Sequence, residues 1–197
     1  MRALTPTLVL LGLTAAPPWR LAAQWDVSAD IGAARFGGTA RDTSGTVIGP
    51  YRPTTFAVRI DRQFGALRGG IAVLYTRPGM SGQRDNIAVV FYDGTSLVEV
   101  GPELSIRLAR FATGAVARAE GGPALDVWDV DGATTRTRVG AHAGLTLEWP
   151  LSGRFTGTVR ARGVLTASMM NADEQTPDIK RHATRQVGVS VGLRYRL

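Results

Sequence analysis

Long segments of this chain alternate strictly between apolar and polar residues, and the polar side is where arginine falls. In Arg138–Trp149 (RVGAHAGLTLEW), Val139, Ala141, Ala143, Leu145, Leu147 and Trp149 share one face of an extended strand, while Arg138, Gly140, His142, Gly144, Thr146 and Glu148 share the other. A period of two excludes a helix over these residues. The constraint then passes to the chain as a whole: one of the two faces must meet water, and the other must not.

Seven further segments carry the pattern: Gln24–Phe36, Thr54–Phe64, Leu67–Thr76, Leu97–Arg110, Thr113–Trp128, Arg154–Met169 and Thr184–Leu197. All exceed the length of about five or six residues usual for a globular strand. The connections alternate as well. Those around Gly65, Ala112 and Ser152–Gly153 are tight, whereas 37–53, 77–95, 129–136 and 170–182 are long and rich in Gly, Pro, Asp, Thr and Arg. Short turns at one rim and long loops at the other are the asymmetry of a barrel in an outer membrane. The predicted fold class is therefore all-β, an eight-stranded antiparallel transmembrane up-and-down β-barrel over residues 24–197. Asn86–Tyr92 (NIAVVFY) also reads as a strand. An even number of spanning strands places it in the second long loop, extending the hairpin of the third and fourth strands above the membrane, with a bent beginning of the fourth strand as the alternative.

Charge decides which face is enclosed. An arginine at the midplane of a lipid-facing strand costs ~2–4 kcal/mol, and Arg107, Arg118, Arg160 and Arg162 would each incur it. The lumen is accordingly expected to hold Asp26, Asp30, Arg59, Asp61, Arg68, Glu99, Glu103, Arg107, Arg118, Glu120, Arg138, His142, Glu148, Arg160, Arg162 and Arg194. Arginine–carboxylate pairs among them would plug the barrel. Glycines on the same face, Gly70, Gly144 and Gly192 among them, suit an interior only just wide enough for side chains. Aromatic residues collect at the segment ends, with Trp25, Phe64, Phe111, Trp149, Phe155 and Tyr195 toward the short turns and Phe56, Tyr75 and Trp128 toward the long loops. That is the placement of two interfacial girdles. The outward arginines, Arg62 and Arg185, fall at segment ends.

The first residues, MRALTPTLVLLGLTAAPPWRLAAQ, run from a positive start through an apolar stretch to Leu21, Ala22 and Ala23. This order predicts a secretory signal over 1–23, with the mature chain beginning at Gln24. There is no cysteine, so no disulfide supports the exported chain. The formal charge of +7 falls by the two charges of Arg2 and Arg20 once the leader is gone. The arginines are spread singly among acidic residues rather than in a run or on a helix face, which argues against a nucleic-acid partner.

The end of the chain, SVGLRYRL, places Ser190, then Gly192, then Tyr195 and Leu197 at alternating positions. It resembles the assembly signal of outer-membrane barrels, and the mature chain resembles in pattern the OmpA, OmpX and OmpW group of small barrels. Leu197 stands where that group carries Phe or Trp. The resemblance implies outer-membrane lipid and the barrel assembly machinery as partners, and a monomer. Pro102 and Pro123, each behind a glycine in VGPEL and GGPAL, would lie nearly opposite one another on consecutive strands, where a closed barrel has no free edge for proline; a paired bulge or kink is expected there.

No catalytic constellation emerges. His142 and Glu148 share a face but lie six residues apart, roughly 20 Å along a strand, and His182 has no evident serine partner. Lipid-modifying barrel enzymes set a His and a Ser toward the bilayer, so an enzyme is not expected. DVDG, Asp129–Gly132, lacks the later glutamate of a calcium loop, and neither a metal nor another cofactor is expected. FYDG (Phe91–Gly94) and DEQTPDIKRH (173–182) offer loop surface to an extracellular ligand. The reading is a charge-plugged outer-membrane barrel with a structural or loop-mediated binding role at the cell surface. A narrow porin-like channel for small or hydrophobic solutes is the first alternative, and a soluble lipocalin-like carrier with an apolar cavity the second.

Overall fold

The computed structural model describes residues 24–37, 40–42, 47–51, 53–84, 87–91, 94–130, 134–168 and 179–197. In chain order these form thirteen strands: β1 (Gln24–Phe36), β2 (Ala40–Asp42), β3 (Val47–Pro50), β4 (Thr54–Phe64), β5 (Leu67–Thr76), β6 (Met80–Arg84), β7 (Ile87–Phe91), β8 (Thr95–Arg110), β9 (Val116–Val130), β10 (Arg136–Pro150), β11 (Phe155–Thr166), β12 (Ile179–Arg181) and β13 (Thr184–Arg196). Eight of them close a barrel in the order β1-β13-β11-β10-β9-β8-β5-β4. Every neighbouring pair is antiparallel, and β1 seals against β13 from Asp26↔Arg196 to Phe36↔Gln186. The leader read over 1–23 lies outside the described residues.

The first three spanning segments fall where the alternation put them. Elsewhere the ends move. β8 starts at Thr95 rather than Leu97, and β11 stops at Thr166 rather than reaching Met169. β9 starts at Val116, because Gly114 takes a φ of 83° and turns the chain. A side chain would be strained at that φ, as it would at Gly65 in the β4–β5 turn, whose φ is 63°.

The segment read at 86–92 is β7, and it does belong to the second long loop. It pairs with β6 from Met80↔Phe91 to Arg84↔Ile87. Together with strands from the first and last long loops it builds a separate five-stranded sheet, β12-β2-β3-β6-β7, rather than extending one barrel hairpin.

The alternation also sets the sidedness. Val139, Leu145 and Val189 are 68%, 59% and 56% exposed, whereas Arg59 and Arg160 are 3% and 2% exposed. Apolar residues form the outer surface and guanidinium groups the interior, which is the reverse of a lipocalin-like carrier. A closed barrel also pairs every strand, so its spanning backbone can be satisfied in hydrocarbon.

The two prolines behave otherwise than expected. Val100↔Leu125 and Leu104↔Gly121 keep one register, and no pairing joins the strands between them. Pro102 still pairs with Ile71 on β5 and Pro123 with Ala141 on β10. The two missing N–H groups therefore face each other at one position of one ladder, where a single gap absorbs both. Glycine is needed on either side: a Cβ at Gly101 would lie 2.3 Å from Pro123 O, and one at Gly122 would lie 2.1 Å from Pro102 O. The β-bulge itself lies lower, where the register shifts between Arg107 and Ala109. Leu108 is the extra residue, so the alternation slips there by one.

Replacing Leu145 by arginine should cost the folded barrel about 2–4 kcal/mol in lipid vesicles, read by urea titration. A neutral outcome would mean that this face does not meet hydrocarbon.

Candidate functional site

Two clusters of ion pairs occupy the interior. In the first, Arg160 reaches Glu120 at 2.5 Å and Glu103 at 3.1 Å. Arg59 contacts Glu103 at 3.4 Å and also pairs with Asp30. Thr158 donates at 3.1 Å to Asp30 Oδ1, the oxygen that Arg59 leaves over, and Thr146 donates at 2.7 Å to Glu120 Oε2, the same oxygen that Arg160 contacts. Five strands thus meet through one network: β1, β4, β8, β9 and β11, with β10 supplying Thr146. Nearby, Arg162 on β11 pairs with Glu99 on β8.

The second cluster lies toward the short turns. Arg68 contacts Asp61 at 2.9 Å, Glu148 at 2.6 Å and Asp26 at 3.7 Å. Arg194 pairs with the same Glu148 and lies 3.7 Å from Asp61. Arg118 is 3% exposed and donates to Ser105 Oγ and to Ala66 O, both at 3.1 Å.

Glycine makes these clusters possible. A Cβ at Gly192 would lie 2.1 Å from Asp30 Oδ1, and one at Gly144 would lie 3.0 Å from Glu120 Oε1. Both carboxylates lie across the bare backbone of a neighbouring strand.

Most residues read as luminal share this interior, but not all on the same terms. Arg107 is a correction as to the network and not the facing: it lines the lumen at the exposed short-turn mouth but takes part in no ion pair among the described residues. Arg138 sits at the other end, where its Nε donates to Ser168 O at 2.6 Å. His142 is buried, with Nε2 3.9 Å from Glu103, while Glu148 belongs to the second cluster. Among the described residues His142 makes no hydrogen bond to a hydroxyl. His182 is exposed. Of the DVDG motif, Asp131 and Gly132 lie outside the described residues, as do 173–178 of the last loop and Tyr92 and Asp93 of FYDG. Of the chain-end residues, Leu197 donates its backbone N–H to Trp25 O at 2.9 Å, which fastens the end of β13 to the start of β1.

Asp126 and Arg136 are missing from the residues read as luminal, yet both are buried. Their parity would have found them, since Asp126 lies in step with Glu120 and Arg136 with His142. Trp128 is a second correction. It is not in the outer girdle but fully buried, edge-on to Phe36 at 5.7 Å, with Leu97 and Ala34 in the same apolar cluster at the long-loop end. Parity again gives the reason, because Trp128 shares the inward face with Arg118 and Glu120. Trp25, Phe56, Phe64, Tyr75, Phe111 and Phe155 keep to the outer surface. Trp25 and Phe64 flank Arg62, whose guanidinium lies 5.7 and 5.2 Å from their rings, and Trp149 packs over the bare backbone of Gly157.

An apolar belt bounded by aromatic residues, a closed ladder and an enclosed set of charges define a transmembrane β-barrel of the outer membrane. The chain has the fold of the small outer-membrane barrels. Neisserial surface protein A is similar in structure with a TM-score of 0.55 at 16% identity, covering 88% of this chain and 97% of that one. The N-terminal β-barrel domain of OprF from Pseudomonas aeruginosa has a TM-score of 0.48 at 11% identity, covering 88% and 99%. Ail, the attachment invasion locus protein of Yersinia pestis, has 0.37 at 14% identity, covering 87% and 98%. No protein-family model matches the chain, and no curated protein matches it in sequence.

Arg160→Ala should destabilise the folded barrel by about 3–5 kcal/mol, because Glu103 and Glu120 would keep buried charge without their partner. Replacing Arg160, Glu103 and Glu120 together by Met, Leu and Leu should recover most of that loss in the same urea titration. Equal losses in the two variants would show that pairing is not what the cluster contributes.

Proposed function

We propose that this barrel is a closed, non-enzymatic platform that carries a binding surface outside the cell. The observation behind this reading is the five-stranded sheet beyond the barrel, assembled from three of the long loops. Among the described residues β7 is an edge of that sheet, with a neighbour only at β6, and Val89 on it is 50% exposed. An unpaired edge offers backbone donors and acceptors to an extended segment of another protein, and exposed apolar side chains add contact area.

The interior supports the same reading. Ion pairs cross the lumen from β4 to β8 and from β8 to β11, and the Phe36–Trp128 cluster lies at its long-loop end. A pore needs a continuous wet path. The buried His142 has no hydroxyl partner among the described residues, so a nucleophile–base pair has no support there.

Two measurements on the intact protein test this. In planar bilayers it should stay silent; stable discrete openings would favour the channel for small or hydrophobic solutes. On intact cells, a photo-crosslinker at Val89 should give a discrete adduct of higher mass, and its absence would remove the binding role from β7.

A further inference from the structure

At the short-turn end the lumen widens into a cavity of about 270 Å³. Its two carboxylate-bearing wall residues, Asp26 and Glu148, are engaged by Arg68 and Arg194. With Asp61 as a third carboxylate and Arg118 as a third guanidinium, the deep end of the cavity is balanced in formal charge. The outer part is not. Arg107, Arg110, Arg154 and Arg196 line the same cavity, and none has a carboxylate within ion-pair distance among the described residues. Among the described residues the Arg154 guanidinium donates to the Tyr195 hydroxyl, at 3.0 Å.

Two features of the backbone concentrate this charge. Arg107 stands directly across the β8–β9 ladder from Arg118. Like charges in that relation repel and destabilise the pair, and Arg118 has only the neutral acceptors Ser105 and Ala66. The bulge at Leu108 then changes the alternation, so that Arg110, paired with Val116, lines the cavity instead of following the outward face. Bulges re-aim side chains in this way. Here the result adds a positive group where two already oppose each other.

We propose that this periplasmic mouth is an anion-binding vestibule for a multivalent oxyanion of the phosphate class, held chiefly by Arg107 and Arg110 with Arg118 behind them. The guanidinium fork matches phosphate oxygens in pairs, and several forks converging on one cavity favour an anion with more than one charge. The mouth opens where both free phosphates and the phosphate headgroups of the inner leaflet can reach it.

The test uses the whole folded barrel in nonionic detergent and chloride buffer, titrated with inorganic pyrophosphate by calorimetry. Saturable binding of one anion per barrel is expected. Arg107→Gln with Arg110→Gln should weaken it at least about tenfold, and Arg185→Gln on the outer face should not. These arginines make no ion pairs among the described residues, so the double variant should keep the fold, read as a compact gel migration that shifts only when the barrel is heated. Pyrophosphate should raise the temperature of that shift in the parent and leave it unmoved in the double variant. Repeating the titration in nanodiscs identifies the source: loss of binding when phosphatidylglycerol is added assigns the site to lipid headgroups, and retention assigns it to a free anion. No saturable binding in detergent, or equal binding by the double variant, would overturn the proposal.

Discussion

A guanidinium group cannot be left facing hydrocarbon, and that single cost organises the whole molecule. Each strand carries apolar residues at one parity and charged or small residues at the other, so placing arginine away from lipid fixes the facing of the entire strand. Eight strands facing the same way enclose more charge than a narrow lumen can hold unpaired. Arginine–carboxylate networks and close approaches at Gly144 and Gly192 are what fit there. The apolar exterior follows from the same choice: Leu145 is 59% exposed because Thr146 and Arg160 are not.

The lumen is not uniform along its length. At the long-loop end it holds an apolar cluster of Ala34, Phe36, Leu97 and Trp128. Below that come the shared network of Arg59, Arg160, Asp30, Glu103 and Glu120, then the Arg68–Arg194 cluster, and finally a mouth rich in unpaired arginine. Surface-directed and periplasm-directed properties are thereby separated by an interior of crossed ion pairs. A perturbation at one end meets a rigid, low-dielectric network before it reaches the other.

Much of this was legible in the sequence because a period of two is a strong signal and lipid tolerates few exceptions to it. The strands Gln24–Phe36, Thr54–Phe64 and Leu67–Thr76 could be bounded to the residue, and the facing of Arg59, Arg160 and Leu145 followed from parity alone. Trp128 was misread because residue type was given more weight than parity. An aromatic ring near a strand end suggested the girdle, while its even number already put it inside. The bulge at Leu108 is marked in the sequence only by the adjacent apolar pair Leu108 and Ala109 between Arg107 and Arg110, a break in the alternation so close to the turn that it reads equally as the end of the strand. The proline pair was legible as an irregularity but not in kind, because the choice between an extra residue and an unpaired gap depends on strand register. The loop sheet rests on pairing between segments far apart in sequence, Val47–Pro50 with Met80–Arg84 for example, and short apolar runs do not reveal such partners.

The sidedness of the barrel is best tested by fluorescence from one tryptophan on the outer face. In a chain with Trp19, Trp25, Trp128 and Trp149 replaced by phenylalanine, a tryptophan at Leu145 is placed in bilayers with brominated acyl chains and, separately, exposed to aqueous iodide. Strong quenching by the brominated lipid and none by iodide is the expected result. Quenching by iodide with indifference to the brominated lipid would mean that this face meets water, and the account of the lumen would fall with it.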